Sequence, residues 1–265
     1  VKQIQKKPVG MTIAFIYLVT FLIHAILIRL EDGRTFLGTL MAVPLIVVFA
    51  YQAVYCKLQV RSTLGLHRPT LKSMVFSILL PVLLGITFHV YLSFQGMRFL
   101  FEQEKELGLL FVIGLTVASL SALLEEVVWR GNLHHHLRKN HSLFRTAVIT
   151  AAAWSLWHLP IAVFYKGYGD FWVGTTTYIG LLFLISIMLT YVREIGRSVI
   201  PAAILHGMLN VFYLSGGLQS VTAEQEELSK LLLYTVVTGM MALAYGMHLN
   251  NSQQFEEKRG PVRDH

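Results

Sequence analysis

The sequence predicts an all-α fold, a polytopic membrane helical bundle of about eight transmembrane helices. Three observations carry that expectation. Hydrophobic residues make up 54% of the 265-residue chain and charged residues only 14%, against about 25% charged in a soluble domain. The apolar residues fall in runs of about 20 positions, the length a helix needs to cross a hydrocarbon core of ~30 Å. The net charge of +7 is spread over short basic patches between those runs, as the positive-inside rule requires of a membrane protein. That distribution argues against a nucleic-acid-binding face.

Taken in order, the apolar windows are 11–30, 37–56, 73–94, 108–128, 146–165, 172–192, 198–215 and 230–249. The first follows "KQIQKKP" and no A-x-A-like cleavage site comes after it, so it is expected to be a retained span rather than a signal peptide. The fourth helix is expected to continue past its apolar part toward residue 139. "KLQVRSTLGLHRPTLK", "RGNLHHHLRKNHSLFR" and "VREIGRS" are basic connections, whereas "EDGRT", "QGMRFLFEQEKELG" and "SGGLQSVTAEQEELSK" are mixed or acidic. Their alternation places both termini on the basic, cytoplasmic side. Pro44, Pro81 and Pro201 lie within windows and are expected to kink the helix or end its regular hydrogen bonding. The chain divides into residues 1–104 with three spans, a functional core at 105–215, and residues 216–265 with the last span and a tail. The lone Cys56 excludes an internal disulfide and a multi-cysteine metal site, and reads as a packing residue.

Ionisable residues inside spans are candidates for function, because a charge at the bilayer centre costs ~2.5–3.5 kcal/mol on insertion scales. The candidates are Glu125, Glu126 and Arg130 in the fourth window, His158 in the fifth, and His206 with Asn210 in the seventh. Glu125 lies 13 residues before Arg138 and His158 lies 13 after Arg145, which puts both ~20 Å from their basic anchors. His206 lies nine residues after Arg197, at ~14 Å. Three helices thus bring a carboxylate and two imidazoles to a similar depth. Glu126 and Arg130 are at i and i+4 and are expected to pair. Trp154 with His158, and His206 with Asn210, share that spacing. Glu125 has no cation at helical spacing, which makes it the hardest to explain structurally. Each residue alone has an ordinary alternative: a structural salt bridge, an interhelical hydrogen bond, aromatic packing. His134, His135 and His136 form an adjacent run unsuited to metal ligation. His24, His89 and His248 read as structural or interfacial.

In order, these residues resemble a known pattern. "EEVVWR" (125–130) matches the EExxxR motif of the CPBP family of intramembrane proteases, related to type II CAAX prenyl endopeptidases. "WSLWH" (154–158) resembles its FxxxH motif, with Trp154 where Phe is usual, and "HGMLN" (206–210) matches its HxxxN/D motif. "STLGLHRP" (62–69) and "GRSVIPAAILHGMLN" resemble the surroundings usual for the family. The resemblance covers roughly residues 105–215. It implies an all-helical intramembrane protease core with a cavity open toward the cytoplasmic side. It implies catalytic roles for Glu125, His158, His206 and Asn210, supported by Glu126, Arg130 and Trp154. It also implies a peptide or protein substrate, with a prenylated CAAX peptide as the type substrate, in a multi-pass protein of a prokaryotic cytoplasmic membrane or, in a eukaryote, the endoplasmic reticulum.

Peptide hydrolysis needs an activated water, a stabilised oxyanion and a proton for the leaving amine. No serine–histidine–acid arrangement stands among the span residues, so glutamate-activated water attack is the favoured mechanism. Zinc on Glu125, His158 and His206 is the alternative, but HExxH is absent and the ligands would come from three helices. Two other readings compete: a non-catalytic scaffold or immunity partner using the same polar core, and a transporter. The second predicts inverted repeats, which the sequence lacks.

Overall fold

The computed structural model describes residues 7–55, 63–94, 104–214 and 222–259, and it is all-helical there. Helix α1 is Lys7–Leu27. Helix α2 (residues 33–55) opens as a 3₁₀ segment, Gly33–Met41, and continues as Ala42–Tyr55. Helix α3 is Leu71–Phe94, α4 spans residues 104–138, and α5 spans residues 143–165. The last three are α6 (Phe171–Gly196), α7 (Val199–Leu214) and α8 (Ala223–Arg259). Cys56 lies outside the described residues, as do the side chains of His89 and His248.

Seven helices, α1 to α6 and α8, are long and apolar enough to cross a membrane. The helix at the expected seventh window, α7, is shorter at 16 residues, or ~24 Å. It packs against α3, α4 and α6, and Ala202, Leu205, His206, Met208 and Leu209 along it are buried. A helix enclosed by its neighbours need not match the full bilayer thickness. The fourth helix runs on to Arg138, as its sequence led one to expect. Large apolar side chains on the outer faces stay exposed, among them Phe15, Leu22, Leu83, Leu120, Leu232 and Leu243. A lipid-facing belt accounts for so many, whereas a water-soluble surface of this extent would aggregate.

Two helices depart from regular α geometry where the motifs lie. Helix α4 contains π-helical stretches at Gly114–Ala118 and Val127–Leu133, the second starting directly after Glu126. Such π-bulges concentrate at functional sites. Helix α5 breaks at His158, between segments Leu143–Trp157 and Leu159–Tyr165. Pro160 forces that break, because it lacks an N–H and its ring crowds the preceding turn. Of the prolines expected to kink spans, Pro81 sits in a helix interior. Pro201 is the third residue of α7, where the missing N–H has no intrahelical partner to lose, and Pro44 lies just after the change from 3₁₀ to α geometry in α2.

Helices α4 and α7 approach closely because Gly207 has no side chain. A Cβ there would sit 2.4 Å from the Ser119 backbone nitrogen and 2.5 Å from its Cα. Small residues at such crossings let membrane helices pack backbone to backbone. Gly207→Ala is therefore expected to push α7 off α4 and to destabilise the fold by about 1–3 kcal/mol. Thermal unfolding of the detergent-solubilised variant checks this, and an unchanged midpoint would contradict the packing argument.

Candidate active site

The site forms where the π-helical stretch of α4, the break in α5 and the middle of α7 meet. Glu125 is 1% exposed and Glu126 and Arg130 are fully buried. The Arg130 guanidinium donates to Glu126 Oε1 at 2.9 Å, so the expected i, i+4 pair is present. The same oxygen accepts a second hydrogen bond, from His206 Nδ1 at 2.9 Å. Arg130 also donates to Ser186 Oγ of α6 at 2.7 Å. One carboxylate oxygen thus ties α4 to α7, and its arginine ties both to α6. Glu126 Oε2 and Arg130 Nε are buried without hydrogen-bond partners among the described residues.

Glu125 turns away from that pair. Its Oε2 accepts a hydrogen bond from the Trp154 indole N–H at 2.7 Å, which answers how a lone buried carboxylate is tolerated: its partner comes from α5. Trp154 is itself fully enclosed and meets Glu125, His158, His206 and Arg130. Its ring meets His158 at 4.6 Å and His206 at 5.2 Å between centroids, both edge to face. The Arg130 guanidinium carbon lies 4.9 Å from the Trp154 ring centroid, within cation–π range.

The break in α5 fixes the tautomer of His158. Its backbone N–H bonds to Ser155 at 3.1 Å rather than to the Trp154 carbonyl. That freed carbonyl is taken by the His158 ring itself, through Nδ1 at 2.9 Å. A carbonyl only accepts, so Nδ1 carries the proton and Nε2 of the neutral ring is left as an acceptor. The same reasoning puts a proton on His206 Nδ1, facing Glu126. Asn210, one turn beyond His206, is partly buried and its amide makes no hydrogen bond among the described residues.

The sequence-expected residues Glu125, Glu126, Arg130, Trp154, His158 and His206 are thus brought together. One expectation needs adjustment. The depth estimates assumed straight α-helices, whereas the motif residues sit on a π segment and at a helix break. His134, from the adjacent histidine run, is 1% exposed, and its Nε2 meets Glu194 Oε2 at 3.0 Å, tying the ends of α4 and α6. His24, read as structural, finds Tyr165 of α5 at 3.5 Å. Ser186 carries no charge, so the cost of burying an ionisable group does not single it out in the sequence. The recurrence of Ser186 and Thr190 at helical spacing in an apolar window was the available signal. Among the described residues no group of three or more His, Cys, Asp or Glu side chains is placed to hold a metal ion. Trp154 occupies one oxygen of Glu125 and the Nδ1 atoms of both imidazoles are engaged, which leaves the other Glu125 oxygen and both Nε2 atoms open.

A multi-pass helical membrane protein with paired carboxylates and imidazoles buried between three helices is a narrow class. The model of the type II CAAX prenyl endopeptidase Rce1-like family matches residues 107–212. The chain is also similar to CAAX prenyl protease 2 of Methanococcus maripaludis, at 27% identity over 189 residues. That match spans 69% of this chain and 65% of the relative, less than two thirds of its length.

Trp154→Phe keeps the ring and removes the N–H that Glu125 needs. Leaving a buried carboxylate short of a donor costs about 1–3 kcal/mol. The destabilisation is expected to shrink by more than half when Glu125 is already alanine, which a double-mutant cycle of thermal unfolding measures. Equal losses in both backgrounds would show that the hydrogen bond is not what matters.

Proposed function

We propose that the chain is an intramembrane endopeptidase that hydrolyses a peptide bond of a membrane-associated substrate, with prenylated CAAX-type peptides as the substrate class. The observation that carries this reading is the meeting of Glu125, His158 and His206 around Trp154, with one oxygen of Glu125 held and the other left to act. The family match and the name of the Methanococcus maripaludis relative support the substrate class.

In the proposed reaction the free oxygen of Glu125 takes a proton from water. The water oxygen then bonds to the substrate carbonyl carbon, and the C=O electron pair moves onto oxygen. His158 accepts the water's other hydrogen at Nε2 and so aims its lone pair. The oxyanion receives hydrogen bonds from the Asn210 amide and from His206 Nε2–H. Glu125 returns its proton to the amide nitrogen as the C–N bond breaks, leaving a carboxylic acid and an amine. For Nε2 to donate while Nδ1–H faces Glu126, His206 must be an imidazolium in this step. The Glu126 carboxylate and the oxyanion then balance the Arg130 and His206 cations within the buried site, Glu125 being protonated, which keeps its net charge at zero. Glu126 and Arg130 act by holding His206 in place.

Incubating liposome-reconstituted protein with a farnesylated CAAX peptide and an unprenylated control tests the proposal. Wild type is expected to cleave the farnesylated peptide, Glu125→Gln to lose at least ~10²-fold in rate, and Asn210→Ala ~10²-fold through the oxyanion. Cleavage of neither peptide removes the CAAX assignment. Retention of full cellular function by Glu125→Gln removes the protease reading and favours the scaffold alternative. Activity is expected to survive chelation, assayed on protein analysed for zinc. Loss on chelation with recovery on zinc addition would replace the metal-free mechanism.

A further inference from the structure

A second site lies away from these residues, in a cavity of about 770 Å³ between α3, α6 and α8. We propose that this groove binds one anionic phospholipid, its phosphate at Lys72 and Arg197 and its acyl chains along Phe76, Ile195 and Met241. The volume falls within the range of ligand pockets, roughly 300–1,000 Å³.

The lining divides by chemistry. Phe76, Ile195 and Met241 supply apolar walls, and Tyr191 and Tyr245 close one side with their rings edge to face at 5.2 Å. Lys72 and Arg197 supply the charge. Both are exposed, and neither makes an ion pair among the described residues. Glu194 also lines the groove, but its carboxylate is engaged by His134 at 3.0 Å, Arg138 at 2.9 Å and Arg193 at 3.5 Å. Among the described residues, Lys72 and Arg197 therefore line the groove with no countercharge of their own. Thr70 and Ser73 add hydroxyls at the same end, bonded to each other at 2.9 Å.

The backbone gives an independent indication. Arg197 ends α6 in the left-handed region, at φ 53° and ψ 20°, and it is the one non-glycine residue with positive φ among those described. Glycine usually takes this helix-ending position, since a Cβ there is strained. A strained arginine with no ion-pair partner among the described residues points to a ligand for its charge.

Position identifies that ligand as a lipid. Lys72 is at the start of α3, Arg197 at the end of α6, and Tyr245 far along α8, so the cations sit at the basic end of the bundle where headgroups lie. Leu79, Met240 and Leu243 on the flanking faces are 53%, 64% and 70% exposed, so the groove continues into the lipid-facing belt. Anionic headgroups are attracted to basic residues at this level.

Native mass spectrometry of the detergent-purified protein, titrated with phosphatidylglycerol or phosphatidylcholine of identical acyl chains, tests the proposal without reference to activity. One phosphatidylglycerol per chain is expected to bind roughly 25-fold more tightly than phosphatidylcholine, about fivefold from each cation. Arg197→Gly suits the left-handed backbone and keeps the fold, and combined with Lys72→Gln it is expected to abolish the preference. Arg145→Gln removes an exposed charge at the same end and is expected to retain it. Equal binding of the two lipids, an unchanged preference in the double variant, or an equal loss in Arg145→Gln would each overturn the proposal. Displacement of the lipid by an equimolar amount of glycerol phosphate would assign the site to a free anion instead.

Discussion

The shared oxygen of Glu126 is the constraint on which the rest of the site depends. A buried carboxylate is tolerated only if cations and donors surround it, and here one atom is met by Arg130 and His206 at 2.9 Å each. That fixes the rotation of α7 against α4, because His206 must face inward. It draws in α6 through Ser186. The close backbone crossing at Gly207 follows from the same need, since a bulkier residue would hold His206 out of reach. Electrostatics inside the bilayer therefore dictates helix packing in this region, whereas apolar packing contributes little specificity against lipid.

The two irregularities in the helices serve the site rather than weaken it. The π segment after Glu126 and the break at His158 both free backbone groups from regular hydrogen bonding, and within a membrane such groups must find protein partners. At His158 the partner is the residue's own imidazole, and that bond sets which nitrogen is left to act. Trp154, one turn earlier, bonds Glu125 and packs on both imidazoles. A tryptophan at this position adds a donor that phenylalanine would lack. Backbone irregularity and aromatic packing together hold Glu125 with one oxygen committed and one free.

The lipid groove and the catalytic candidates share helix α6. Its middle holds Arg130 through Ser186, while its last turn carries Glu194 and the strained Arg197. Glu194 lies between the two regions: it binds the end of α4 through His134 and Arg138 and lines the groove on its other side. The end of α4 is thereby fastened by an ion-pair cluster at the bundle's basic end, about two turns from the site.

Much of this was legible in the sequence. The windows, the basic and acidic alternation, and the EEVVWR, WSLWH and HGMLN motifs determined a multi-span helical bundle and nominated the residues that meet, because span length, charge cost and helical spacing are local properties of the chain. The Glu126–Arg130 pair was legible for the same reason. Tertiary structure alone decided which groups each of these residues faces. Nothing local could reveal that His206 shares an oxygen with Arg130, that Trp154 donates to Glu125 across two helices, or that Ser186 completes the ion pair. Those contacts depend on helix rotation and on departures from α geometry, which arise from packing between segments far apart in the chain. The short, enclosed α7 and the groove at Lys72 and Arg197 belong to the same category: each exists only where three helices meet.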